Sequence, residues 1–145
     1  GLYKITDFYS DIQWNNVADM AWNISSTGFQ MTLSNYIPNI LAEEIEPMLM
    51  RSLQSLSLQK GDIKHWAIHP GGKKIITEIA KALSLQKEDT EISRNVLRSY
   101  GNMSSVTILY VLQHMLQHMH APNENVFCVA FGPGLTIESM FLQSC

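Results

Sequence analysis

Apolar positions along the chain follow two periods. From Leu2 to Ser10 apolar and polar side chains alternate, the mark of a half-buried strand. Residues 19–26 (DMAWNISS) and 28–34 (GFQMTLS) repeat that alternation on either side of Gly28 and predict a hairpin. The period then lengthens. Ile40, Leu41, Ile45, Met48, Leu49, Leu53 and Leu56 follow helical spacing, and Pro38 suits the first turn. Pro47 lacks an N–H and is expected to kink that helix or split it in two. Gly61 and Asp62 mark a turn, after which residues 64–69 (KHWAIH) predict a short inner strand stopped by Pro70.

Gly71 and Gly72 open a second helix through Leu83, with Ile75, Ile76, Ile79, Ala80 and Leu83 on one side. Asp89 or Thr90 is placed to cap a third helix that ends near Tyr100. A fourth runs from Ser104 to His118. Residues 124–131 (ENVFCVAF) and 135–143 (LTIESMFLQ) predict two strands joined by Gly132-Pro133-Gly134. Strands that alternate with helices and close on a hairpin predict a layered α/β architecture with a mixed sheet.

The fourth helix is unusual. Val106, Ile108, Leu109, Val111 and Leu112 cover more than one of its faces. A helix apolar all round is buried inside a larger body, so a second covering layer is expected. Asn102 stands at the mouth of this helix, and an enclosed carboxamide is costly unless hydrogen-bonded.

Composition narrows the function classes. The chain has 145 residues, 46% hydrophobic and 16% charged, with a net charge of −3, which suits one ordinary domain. Mild acidity gives no electrostatic case for nucleic acid or for an anionic membrane. The apolar run from Val106 to Leu112 falls far short of the roughly 18 residues of a membrane span. Nothing resembles a signal peptide, and a cytoplasmic protein is expected. Cys128 and Cys145 show neither disulfide nor zinc spacing. His114 and His118 form an i, i+4 pair with His120 close by, but no Asp, Glu or Cys nearby completes a metal site. The opening GLYKITDFYSDI has no initiator Met and begins at once as a strand, so a piece of a longer protein is expected.

Three motifs stand out: AIHPGG at 67–72, YGNMSS at 100–105 and FGPGLTIE at 131–138. Each alone has a plain role. His69 could bond a backbone carbonyl, Asn102 could turn the chain or cap a helix, and Gly132-Pro133-Gly134 could be only a hairpin turn. In this order and spacing, with GF-x-M-x-L-S-x-Y-I-P before the first helix, they resemble type III polyketide synthases. That family contains the chalcone and stilbene synthases, and the likeness extends from about Leu2 to Ser144. GFQMTLS and DMAWNI look more like bacterial members than plant ones.

The resemblance implies the C-terminal half of a thiolase-like fold, with residues 1–145 as one C-terminal domain and the central helix buried between two sheets. It implies an acyltransferase in which a cysteine takes an acyl group from coenzyme A. Malonyl-CoA then loses carbon dioxide and attacks that thioester. Malonyl-CoA and acyl-CoA are thus substrates, and no covalent cofactor is implied. Carried onto this chain, the catalytic histidine is His69 and the asparagine is Asn102. Ser104 and the segment Phe131, Gly132, Pro133 and Gly134 would line the cavity in which the polyketide folds. The family carries Gly where this chain has Ala130, and Met31 replaces a gating Phe of plant members. Trp22 falls near the cavity wall, with core packing an equal or better reading.

The family's nucleophilic cysteine, and the basic residues that grip coenzyme A phosphates, belong to the N-terminal half. Cys128 is expected to be a small buried hydrophobe, and Cys145 is no replacement. The chain by itself is therefore expected to be inactive. It is also expected to self-associate, or to form a homodimer, through the exposed face of its central helix. Two other readings remain at this stage. One is a β-ketoacyl-acyl carrier protein synthase of the initiating type, which tends to show HQAN and GNTS in place of HPGG and GNMSS. The other is a non-catalytic thiolase-like interaction domain.

Overall fold

A computed structural model describes residues 2–118 and 121–145. Six strands and four α-helices follow one another along these residues. They are β1 (Tyr3–Ile12), β2 (Met20–Ser25), β3 (Gly28–Leu33), α1 (Ile37–Ser55), β4 (Ile63–Ile68), α2 (Lys73–Ala82), α3 (Glu91–Tyr100), α4 (Val106–His118), β5 (Asn125–Gly132) and β6 (Thr136–Ser144). Four strands form one mixed sheet in the order β1-β6-β5-β4. Its β4–β5 pair is parallel, and its other two pairs are antiparallel. β2 and β3 form the predicted hairpin as a separate two-stranded sheet.

The period-2 alternation of the strands splits the core into two layers. Trp66 and Ile68 of β4, Phe127 and Val129 of β5, and Ile137 and Phe141 of β6 face α1 and α2. Their neighbours Ala67, Val126, Cys128 and Leu142 face α3 and α4, meeting Val96, Val111 and Met115. The first layer is held by an aromatic cluster. The Phe127 ring lies 5.7 Å from Trp66 and 5.2 Å from Phe141, centroid to centroid. Burying each such side chain stabilises the fold by about 1.5–3 kcal/mol.

α1 runs through Pro47 as one helix, so of the expected kink or split the split does not occur. Leu41, Ile45, Met48, Leu49 and Leu53 are buried along one side of the helix, whereas Pro47 is exposed. Water can therefore solvate the carbonyl one turn earlier that has lost its partner, and packing holds the helix together. Trp22 belongs to neither buried cluster of the described residues. It is 55% exposed and stacks edge-on against Phe29, 6.5 Å away. The hairpin's apolar alternation produces no buried face, because among the described residues no second layer covers it.

α4 buries Thr107, Val111 and Met115 against the sheet, and leaves Val106 and Leu109 45% and 60% exposed. The described residues cover one side of this apolar helix and not the other. Ile5 and Phe8 of β1 are likewise exposed. No helix among the described residues is long and apolar enough to cross a membrane.

Candidate active site

Parallel pairing of β4 with β5 brings the C-terminal ends of both strands to one end of the sheet. His69 follows the last residue of β4, where its N–H donates to the Val129 carbonyl of β5 at 2.8 Å. The Gly132-Pro133-Gly134 turn leaves β5 at that same end. Two of the three sequence motifs therefore share a rim because of sheet topology.

The third motif joins them through a side chain. Asn102 Nδ2 donates to the carbonyl of Gly71 at 3.2 Å, across 31 positions of sequence. Gly71 lies against the His69 ring. A Cβ added there would stand 3.7 Å from Cδ2 and 3.8 Å from Nε2 of that ring. The carboxamide of Asn102 and the Nε2 edge of His69 thus converge on one glycine. Gly71 has no left-handed backbone angle; a side chain there would press first on Ile75 Cδ1, at 3.0 Å, and then on the His69 ring.

The same amide also serves its own segment. Asn102 Oδ1 accepts the N–H of Ser104 at 2.9 Å, and the Thr107 hydroxyl points to it at 3.5 Å. Gly101 and Ser104 take positive φ values of 73° and 61°, which sharpen the turn into α4. The plain role and the chemical role coexist: the oxygen shapes the turn, and the NH₂ reaches across to the histidine loop. Thr107 is fully buried and takes the N–H of Met103 at 2.7 Å. Its place in this network was missed in the sequence, although a lone hydroxyl in the apolar run VTIL is its signal.

His69 is 8% exposed. Burial lowers its pKa below the ordinary 6.5, because desolvation disfavours the charged ring. Among the described residues Nδ1 is the buried side-chain polar atom with no hydrogen-bond partner. That nitrogen is an unsatisfied polar atom inside the protein, while the Nε2 side of the ring lies next to Gly71.

A cleft of about 330 Å³ opens beside this loop, lined by residues that include Leu33, Ser34, Pro38, Gly71, Lys74 and Ile75. Ser104 and residues 131–134 form no wall of it. Ser104 and Pro133 are exposed, and Phe131 packs partly into the α1–α2 side of the core. The turn is tied down elsewhere. Gly134 N–H donates to the Met20 carbonyl at 2.6 Å, and Gln13 N–H donates to the Leu135 carbonyl at 3.1 Å. A Cβ at Gly132 would stand 2.8 Å from Thr136 Oγ1, so this position admits only glycine without a shift.

Cys128 is buried, and desolvation pushes its thiol up to about 12. It is a core side chain and no nucleophile. Cys145 is exposed. His118 Nδ1 bonds the His114 carbonyl at 2.7 Å, which uses the ring within its own helix. His120 lies outside the described residues.

Residues 10–145 match the family described as chalcone and stilbene synthases, C-terminal domain. A polyketide synthase-like protein of alpha-pyrone synthesis from Mycobacterium tuberculosis, Pks18, is 32% identical over 99% of this chain and 37% of its own length. A putative chalcone synthase of Bacillus subtilis is 34% identical over 97% of the chain and 39% of its own. The 3,5-dihydroxyphenylacetyl-CoA synthase of Amycolatopsis balhimycina is 30% identical over 97% and 37%. The crystal structure of PKS-I from the brown alga Ectocarpus siliculosus superposes with a TM-score of 0.90 at 27% identity, over 99% of this chain and 40% of that one. The C-terminal type III polyketide synthase domain of Steely1 from Dictyostelium gives 0.88 at 28%. The chain spans about two fifths of the length of these proteins. Its mixed α/β layers are those of the C-terminal part of a thiolase-like fold. On motif order, fold and family match together, the chain belongs to the chalcone and stilbene synthases, whose C-terminal domain it carries.

Proposed function

We propose that this domain supplies the enolate-stabilising pair of a polyketide synthase that condenses malonyl-CoA with an acyl thioester. The observation that carries this reading is the bond from Asn102 Nδ2 to the Gly71 carbonyl, beside the Nε2 edge of His69. When malonyl-CoA loses carbon dioxide, the electron pair of the breaking C–C bond moves into an enolate, and negative charge gathers on the thioester oxygen. Nε2–H of His69 and Nδ2–H of Asn102 are the donors to that oxygen. The enolate carbon then attacks an acyl thioester, a C–C bond forms and the thiolate leaves.

The acyl group would sit on a cysteine of an N-terminal portion, since Cys128 is buried with a raised pKa. Coenzyme A thioesters are the proposed partners, consistent with the relative whose name carries a CoA product. Ser104 and Phe131 to Gly134 keep their proposed role as cavity wall once the N-terminal portion is in place, and the cytoplasmic location remains part of the proposal. No starter group or ring closure is assigned.

The test uses the domain joined to its N-terminal portion. His69→Ala and Asn102→Ala should each slow malonyl-CoA decarboxylation on the order of 10²–10³-fold, the typical cost of one oxyanion donor. Thermal melting of both variants should show an intact fold. Unchanged carbon dioxide release in either variant removes that residue from the mechanism.

A further inference from the structure

A second cleft, of about 490 Å³, lies between α2 and α3 and is lined by Lys73, Ile76, Arg94, Leu97 and Arg98. Three of these five side chains are cationic, in a chain whose net charge is −3. None of the three forms an ion pair among the described residues; the pairs there are Arg51–Asp11, Lys60–Glu46, His65–Glu124 and Lys81–Glu78. Among the described residues no carboxylate lies within ion-pair distance of the cluster.

Arg94 is held without being neutralised. Its Nε donates to Thr90 Oγ1 at 3.0 Å, and its Nη1 to Thr77 Oγ1 at 3.4 Å. Both hydroxyls spend their own protons on backbone carbonyls, Thr90 on Lys87 and Thr77 on Lys73. Each threonine therefore meets the guanidinium with a lone pair. Two of the five N–H donors are fixed by neutral acceptors, and three remain for a ligand. Thr90 is 1% exposed and sits at the N-cap position of α3, yet its side chain makes no capping bond. A residue suited to capping the helix orients an arginine instead. Arg98, one turn on, is steadied by Asn95 Oδ1 at 2.6 Å.

We propose that this cleft binds the phosphate groups of a small molecule, a diphosphate or phosphomonoester. A pre-oriented, uncompensated guanidinium with a second arginine and a lysine beside it matches paired phosphate oxygens. Ile76 and Leu97 supply an apolar floor for a non-polar part of the ligand. Lys73 stands between this cleft and the one beside Gly71, since it lines both. The phosphate could belong to a coenzyme A thioester reaching from the cleft beside Gly71 or to a separate metabolite, and the chemistry recognised is the same. The site rests on its own geometry and not on the decarboxylation reading.

Inorganic pyrophosphate is the probe, titrated into the 145-residue chain by calorimetry with NMR detection. Saturable binding is expected, weakening with added salt. Arg94→Gln and Arg98→Gln should each weaken it about ten-fold or more, the loss of one charge-assisted contact. Arg98→Gln is the control for folding, because that side chain is exposed. Coenzyme A and dephospho-coenzyme A form the second arm. Tighter binding of coenzyme A than of pyrophosphate, lost in the same variants, assigns the phosphate to the thioester; equal or weaker binding assigns it to a separate ligand. Absence of saturable pyrophosphate binding, or binding unchanged in both variants, overturns the proposal.

Discussion

Asn102 has two roles that substitution can separate. Its oxygen shapes the turn into α4 by accepting from Ser104 N at 2.9 Å, and its NH₂ reaches Gly71 at 3.2 Å. Asn102→Ala removes both. An Asx-type acceptor at a helix entry is worth about 1 kcal/mol, which corresponds to a fall in Tm of about 2–4 °C for a chain of this size. Asn102→Asp keeps the acceptor and removes only the donor. It forfeits one neutral hydrogen bond, about 0.5–1.5 kcal/mol, and gains about 0.3–1 kcal/mol from a negative charge beside the first turn of α4. These terms nearly cancel, so Asn102→Asp should leave Tm within about a degree of the parent. Decarboxylation should behave oppositely. Without the NH₂, both variants should lose on the order of 10²-fold or more in rate. Thermal melting by circular dichroism on the chain, and carbon dioxide release from malonyl-CoA on the enzyme with its N-terminal portion, give the two readouts. If Asn102→Asp melts as low as Asn102→Ala, or retains full decarboxylation, the division of labour between oxygen and nitrogen is wrong.

Gly71→Ala should fold with stability within about 1 kcal/mol of the parent, because the one tight contact of its Cβ is with the movable Cδ1 of Ile75 at 3.0 Å, and the His69 ring lies at ordinary contact distance. It should still depress decarboxylation by filling the space beside Nε2, and normal turnover would show that the space is not used. His69 makes stability depend on pH. Its folded pKa lies below 6.5, so between those two values the unfolded chain binds the extra proton and stability falls as pH falls. Denaturant melts should show His69→Gln losing less stability than the parent across that acidic window; parallel curves would rule out a buried neutral ring. Exposed Val106 and Leu109 on α4 should drive self-association. Light scattering should give a mass above the monomer at high concentration and a monomer for Leu109→Glu, whereas a strictly monomeric parent counts against it.

Element type was largely legible because burial in this fold is layered. Strands that touch helices on both faces read as apolar runs, as in VFCVAF, and the amphipathic α2 and α3 read as helices with one covered side. Failures occurred where the deciding partner lies outside local sequence. Pro47 is expected to kink or split α1, and the buried row from Leu41 to Leu53 keeps the helix from splitting. Trp22 read as core or cavity wall, and no layer covers it among the described residues. At the site, His69 and Asn102 were visible as motifs, but the Gly71 carbonyl that Asn102 bonds was not. A backbone acceptor has no signature in sequence. The α2–α3 cation cluster was invisible for a similar reason: Lys73 and Arg94 are 21 positions apart in sequence, and only helix packing gives them a common cleft.

In the proposed reaction, His69 and Asn102 would suit decarboxylation because both are neutral. A protonated imidazole would attract the malonyl carboxylate as strongly as the later enolate, and binding ground state and transition state alike gives no rate. Burial keeps the His69 ring uncharged, and a carboxamide has no charge to lose. Two neutral N–H groups gain most when negative charge arrives on the oxygen between them, after the carboxylate has begun to leave. Nearby carboxylates would cancel that gain, and neither His69 nor Asn102 bonds one; Asn102 is occupied by Gly71, Ser104 and Thr107. The 3.2 Å bond to Gly71 engages one N–H of the Asn102 amide, which leaves the other for the enolate oxygen of the proposed reaction.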